Sequence, residues 1–173
     1  MSNKKHFQIS QQAVEKLAVR FGTPLLVLSL DEIKKNYKVL KKYMPRVKIH
    51  YAIKANPHPE ILRVMADMGS CFDVASDGEI RTLHDMGVDG GRLIYANPVK
   101  TGVGLEACRS CGVRKMTFDS ASEIDKIKKQ CPDATVLLRL RIDNSSAHVD
   151  LNKKFGAARE NALALMQQAK EAG

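Results

Sequence analysis

Tyr51-Ala52-Ile53-Lys54-Ala55-Asn56-Pro57 places one lysine at the carboxyl end of a short apolar run. Lysine is among the residues least often buried, so a strand that carries one needs a reason. Alternation puts Ala52 and Lys54 on one face and Tyr51 and Ile53 on the other. The small Ala52 leaves room beside the lysine stem. A desolvated lysine has a lowered pKa and a larger neutral fraction, which is the form that attacks an aldehyde. That chemistry is covalent capture of an aldehyde such as pyridoxal phosphate. The alternative is a strand-end lysine whose ammonium snorkels to water.

Two more charged residues sit at comparable places. In Cys71-Phe72-Asp73-Val74-Ala75-Ser76, Asp73 has the opposite parity from Phe72 and Val74. The two apolar residues suit a helix-facing surface, which turns Asp73 to the other side. In Val136-Leu137-Leu138-Arg139-Leu140-Arg141-Ile142, the even positions are apolar, so Arg139 and Arg141 share the opposite face. A cation enclosed by a barrel must be paired. Asp73 or a ligand anion would pair with Arg139, and a purely stabilising Asp73–Arg139 ion pair is the competing reading.

The elements that position these residues alternate strand and helix. A helix over about Ser10–Phe21 ends at Gly22-Thr23-Pro24, and the apolar run Leu25–Leu30 reads as a strand. Asp31 is the expected cap of a lysine-rich helix to Met44. Expected strands then cover Lys48–Ala55, Cys71–Ala75, Leu93–Ala96, Lys115–Phe118 and Thr135–Ile142. Helices lie between them: about Pro57–Met68, Ser76 to Gly87 with Glu79 as capping-box partner, one ending near Cys111, Ala121–Gln130 capped by Ser120, and Ala157 to the end. Strand ends fall at Lys54, Asp73, Ala96, Asp119 and Arg139, roughly every 20 residues, the pace of a β/α repeat. A parallel sheet buried on both faces follows. Both a doubly wound sheet and a (β/α)8 barrel fit, but no GxGxxG turn follows the first strand, and Gly102-Val103-Gly104 reads as a helix start. About five of eight barrel strands are present, so the expectation is the front part of a larger enzyme.

Composition narrows the function. Charged residues make up 27% and hydrophobic ones 44%, as in ordinary globular domains. No apolar run approaches a membrane span and no signal-peptide core follows Met1, so no membrane is expected and the cytoplasm is the default location. Cys108-Arg109-Ser110-Cys111 has CxxC spacing without a second pair or a histidine pair, so Cys71, Cys108, Cys111 and Cys131 read as packed, reduced thiols and no metal is expected. Residues 1–48 hold eleven Lys/Arg against three acids. Most of this charge lies on the helix where Ile33, Tyr37, Leu40 and Met44 form an apolar stripe and Lys34, Lys35, Lys38, Lys41 and Lys42 fill the remainder. With no aromatic stacking platform, a solvated face is favoured over a nucleic-acid surface.

Six stretches together resemble the fold-type III pyridoxal phosphate-dependent decarboxylases, the ornithine/lysine/diaminopimelate/arginine decarboxylase group. They are Tyr51-Ala52-Ile53-Lys54-Ala55-Asn56, Phe72-Asp73-Val74-Ala75-Ser76 with Glu79, Tyr95-Ala96-Asn97-Pro98-Val99-Lys100, Met116-Thr117-Phe118-Asp119-Ser120, Leu137-Leu138-Arg139 and Lys153-Lys154-Phe155-Gly156-Ala157. They fall in the family's order and spacing from about residue 23 onward, and two of them look more like the ornithine/lysine branch than the diaminopimelate branch.

The resemblance implies a partial TIM barrel of the alanine racemase-like type, α/β in class, in a homodimer. Residues 1–30 would belong with a β-rich C-terminal domain, and 31–173 would be the front of the barrel. Lys54 would bond the cofactor, with Asp73 and Arg139 in its pocket and Glu79 in support. Lys154 would lie in a loop near the dimer interface. The implied activity is decarboxylation of a basic amino acid, ornithine or lysine first, to a polyamine-precursor diamine. Diaminopimelate or a carboxylated polyamine is the alternative substrate, and a catalytically dead regulatory homologue the non-enzymatic one. The family's His-Val-Gly-Ser stretch, glycine-rich phosphate loop, acidic partner of the ring nitrogen and late cysteine and tyrosine do not occur in these 173 residues. His148-Val149-Asp150 comes too early to match and reads as a loop histidine. The 173-residue chain alone is therefore expected to be inactive and aggregation-prone.

Overall fold

The computed structural model describes residues 8–142 and 154–173, in two compact units, residues 1–47 and 48–173. His148 lies outside the described residues.

The first unit contains α1 (Gln11–Phe21) and α2 (Leu30–Tyr43). Ser10 caps α1 by accepting from the amide of Ala13. Leu25–Leu30 is not a strand: residues 25–29 join no ladder among the described residues, and Leu30 is already helical. Ser29, rather than Asp31, supplies the cap, its hydroxyl accepting from Glu32 N at 3.3 Å. Asp31 and Glu32 instead occupy the first turn, where carboxylates oppose the positive helix terminus, and pair with Lys34 and Lys35. An apolar run has strand character only if another strand accepts its hydrogen bonds, and sequence pattern does not report that partner.

The second unit is a five-stranded sheet in the order β1-β2-β3-β4-β5, every pair parallel. The strands are β1 (His50–Ala52), β2 (Cys71–Val74), β3 (Leu93–Tyr95), β4 (Lys115–Phe118) and β5 (Thr135–Leu138). Between them run α3 (Pro59–Asp67), α4 (Asp77–Asp85), α5 (Gly102–Ser110) and α6 (Ala121–Gln130), and α7 (Ala162–Ala172) follows β5. Strict sequential order excludes the doubly wound alternative, whose order reverses at a switch point. The sheet is the front of a β/α barrel, unclosed in this chain.

Alternation builds the core. Phe72, Val74, Leu93, Tyr95, Met116 and Phe118 are all buried, and Ile61, Leu62, Ile80, Leu83, Leu105, Ile124 and Ile127 are among the buried helix residues. The opposite parity, Cys71, Asp73, Ile94, Lys115 and Thr117, is only half-buried. At the amino-terminal edge, Arg92 clamps the start of β3 to the end of α3, donating to Ala66 O at 2.8 Å and Ser70 O at 2.6 Å.

Several boundaries move. β1 is three residues long, and Ile53–Ala55 forms a 3-10 turn. β5 stops at Leu138, and Leu140 makes an isolated parallel bridge to Ala157. The final helix begins at Ala162 rather than Ala157, because Ala157 is held in that bridge and residues 159–161 form a 3-10 turn. Ser120 occupies the N-cap of α6, but its hydroxyl faces that of Ser122 at 3.3 Å instead of capping. The four cysteines are free thiols, with Cys108, Cys111 and Cys131 buried. Burial pushes Cys108 up to about 12, which removes it as a thiolate at neutral pH.

Gly90 begins the turn into β3 against the backbone of residues 111 and 112. A Cβ there would stand 2.2 Å from Cys111 O, whereas one at Gly91 would meet only the Asp89 carboxylate at 2.7 Å. Backbone cannot give way as a side-chain end can. Gly90→Ala is expected to destabilise by about 2–3 kcal/mol and Gly91→Ala by under about 1 kcal/mol, compared by denaturant titration.

Candidate functional site

Every parallel strand points its carboxyl end to the same edge, so the residues after β1 to β5 form one rim. Lys54 lies in the 3-10 turn two residues beyond Ala52, and Ala52 pairs with Asp73. The turn is held across its base: Tyr51 donates its hydroxyl to Asn56 O at 3.0 Å, and Asn56 Oδ1 accepts from His58 N at 3.0 Å. Ile53 anchors the turn in the core, and Tyr51 packs edge-on against Phe72 with centroids 6.5 Å apart. Tyr51 thus orients the lysine turn, a role its apolar-looking position in the sequence conceals.

Lys54 is exposed. The expectation of a desolvated strand lysine is not met, because the strand ends before it and the 3-10 turn lifts it to the surface. Within these residues the feature that makes Lys54 chemically distinct is its neighbour. Burial pushes the Asp73 carboxyl above its ordinary range, while Lys54, His50 and Arg139 pull it back, in that order. Asp73 is therefore a half-buried carboxylate held among positive groups at the rim.

Arg139 also departs from expectation. It is exposed, not enclosed, and its guanidinium lies over the Phe155 ring, 5.2 Å from the centroid. Lys154 approaches the same ring at 5.0 Å. Arg139 acts on Asp73 through its charge, and no contact ion pair joins them among the described residues. The segment bearing Phe155 is pinned by Asp119, whose Oδ2 accepts from Gly156 N at 2.8 Å. Gly156 has φ +102°, and a Cβ there would lie 2.8 Å from Arg141 N, so glycine is required.

Glu79 does not touch Lys54. Ser76 caps α4 by accepting from Glu79 N at 3.3 Å, and Glu79 Oε2 accepts from Ala75 N at 2.6 Å. This is a capping box displaced by one residue, and it fixes the backbone immediately after Asp73.

Sequence reasoning missed a buried charge cluster beneath the rim. Lys100 and Glu123 are 1% and 3% exposed. In the sequence, Lys100 is only the last residue of the Tyr95–Lys100 stretch. Its signal was a lysine five residues after the Leu-Ile-Tyr strand, but no spacing rule links it to a glutamate 23 residues later.

The donor set suits an anionic aldehyde. Lys54 offers a primary amine, and Lys54 and Arg139 together outweigh the single Asp73 carboxylate. No group of three or more metal-ligating side chains occurs among the described residues. No helix among them is long and apolar enough to cross a membrane.

Comparison with known proteins bears on this arrangement. Residues 30–173 match the model of the pyridoxal-dependent decarboxylase family, pyridoxal binding domain. The chain is 52% identical over 169 residues to a lysine/ornithine decarboxylase of Selenomonas ruminantium, covering 98% of this chain and 43% of that protein. A crystal structure of lysine decarboxylase from Selenomonas ruminantium superposes with a TM-score of 0.90 at 51% identity, over 98% of this chain and 44% of that one. The lysine/ornithine decarboxylase of Vibrio vulnificus, solved with putrescine, superposes at 0.83 with 32% identity, over 95% of this chain and 44% of that one. The chain spans less than half the length of these relatives.

Asp73 carries a sign that can be checked. Its folded-state pKa is raised above the unfolded value, so its contribution to stability is fully present below about pH 4 and is lost as pH rises through the folded value. Asp73→Asn is expected to leave stability at pH 7 equal to or above that of the parent, and to flatten the fall in stability above pH 4. Thermal melts of both proteins from pH 3 to 7 measure this. A loss of stability at pH 7 would mean that Asp73 is structural.

Proposed function

This chain belongs to the pyridoxal-dependent decarboxylase family, of which it carries the pyridoxal binding domain, and we propose that it supplies the lysine-bearing half of an enzyme that removes carbon dioxide from ornithine or lysine. Diaminopimelate or a carboxylated polyamine is the second substrate class. The observation that carries the reading is the exposed Lys54 in a turn braced by Tyr51 and Asn56, beside the half-buried Asp73 and within the field of Arg139.

Pyridoxal phosphate, when bound, supplies an aldehyde that bonds amines and a ring that accepts the electron pair left by departing carbon dioxide. The chain's own residues do the rest. Lys54 would hold the cofactor covalently through its amine. Asp73 balances the positive charge of Lys54 through its own charge. Arg139, steadied on Phe155, contributes positive potential for a phosphate or carboxylate group. Glu79 acts at one remove, by holding Ala75 and hence the end of β2.

The remainder of the proposal concerns the whole protein. Residues 1–30 belong with a β-rich second domain, and the working assembly is a homodimer with Lys154 near its interface. A polypeptide limited to these 173 residues is inactive.

The complete gene product, purified with pyridoxal phosphate, is expected to show the absorbance of lysine-bound cofactor and to release carbon dioxide from ornithine or lysine. Lys54→Ala is expected to abolish the band and to lower kcat by more than about a thousandfold, with the secondary structure unchanged by circular dichroism. A folded protein with no lysine-dependent band would overturn the assignment. Carbon dioxide from diaminopimelate alone would move it to the second substrate class.

A further inference from the structure

The buried lysine beneath the rim has a geometry of its own. Lys100 Nζ is surrounded by four oxygens: Thr117 O at 2.5 Å, Asn97 O at 3.1 Å, Glu123 Oε1 at 3.1 Å and Pro98 O at 3.2 Å. The Tyr95 ring closes a further side, its centroid 5.6 Å away. An ammonium has three protons for these four acceptors, and a neutral amine would turn a lone pair toward oxygen. The cage therefore demands a cation. Its walls come from separate places, the loop after β3 (Asn97, Pro98), β4 itself (Thr117) and α6 (Glu123).

The cage is also closed from behind. Glu123 Oε1 accepts from the Lys100 amide at 3.1 Å, and Lys126 reaches both Glu123 Oε2 at 2.6 Å and Lys100 O at 2.5 Å. Glu123 is thus the sole carboxylate between two ammonium groups. Every polar atom of the cluster is used, as buried charge requires. The acceptors are oriented toward one point and three of them are backbone carbonyls. Such an arrangement depends on the size and charge of its centre, not on the aliphatic stem that delivers it.

We propose that Lys100 is a tethered cation: its ammonium occupies an oxygen cage that accepts a free monovalent cation of ammonium or potassium size, and by filling it Lys100 positions the β3–β4 stretch of the rim. Lys100 touches no rim side chain named in the reaction, so it is a positioning residue. It draws the carbonyls of Asn97 and Thr117 together, and Thr117 lies two residues before Asp119, which holds Gly156 and the Phe155–Arg139 contact. The effect on cofactor rests on the decarboxylase reading; the cage itself does not.

The test uses the complete gene product carrying Lys100→Ala, which opens the cage, and Lys100→Met, which fills the stem's volume without charge. Thermal midpoints and amide hydrogen exchange over residues 93–119 are measured in ammonium, potassium and choline chloride at equal ionic strength. Lys100→Ala is expected to melt lower and exchange faster in choline, and to recover in ammonium or potassium; Lys100→Met is expected to show no recovery. In choline, pyridoxal phosphate should bind Lys100→Ala about tenfold more weakly and return toward the parent value in ammonium. A variant that folds only in ammonium or potassium supports the proposal. Equal behaviour of Lys100→Ala in all three salts, folded or unfolded, overturns it. Cation recovery without any cofactor band in parent or variant would sink the decarboxylase reading while leaving the cage intact.

Discussion

The parallel ladder is the constraint on which the other features depend. Parallel neighbours require a crossover between them, and here each crossover carries a helix. Sequential order then sends every strand end to one edge. Lys54, Asp73, Asn97, Asp119 and Arg139 become neighbours on a rim although about 85 residues separate the first from the last. The apolar parity of each strand is committed to the helices, and the other parity is free to carry polar groups.

The two edges of the sheet are secured by different chemistry. At the amino-terminal edge, Arg92 bonds carbonyls at the end of α3, and the outcome is simply a fixed helix-to-strand connection. At the carboxyl edge, Lys100 bonds carbonyls around an enclosed carboxylate. Both use a long cation to gather backbone oxygens. The arginine remains half-buried, whereas the lysine is fully enclosed and needs Glu123 to offset its desolvation. Burial holds the Lys100 pKa below its ordinary value, and Glu123 pulls it part of the way back up. Stability and rim geometry thus meet in one cluster.

The rim itself is less settled than its supports. Asp73 lies where burial disfavours its charge, and three positive groups only partly offset that. Lys54 and Arg139 are exposed, each braced indirectly, one by Tyr51 and Asn56 and the other by Phe155. The side chains proposed to meet a cofactor are presented at the surface, while their braces are hydrogen-bonded or packed below. A site that must accept a ligand needs this division between ready groups and rigid supports.

By itself the sequence determined the β/α repeat, the parity of Phe72, Val74, Met116 and Phe118, and the family, because periodicity and contiguous motifs are local properties. It also placed Lys54, Asp73 and Arg139 at strand ends. Only the tertiary structure decided that Lys54 rides an exposed turn, since the β1 ladder stops at the Ala52–Asp73 pair and the chain turns into a 3-10 helix. Leu25–Leu30 had strand composition, and no neighbouring strand paired with it among the described residues. Arg139 had the alternation of an enclosed cation, but Phe155, sixteen residues on, receives it instead. The Lys100–Glu123 cage was invisible for the same reason: its oxygens come from one loop, a strand and a helix, and their convergence on one ammonium is set by folding, not by any spacing along the chain.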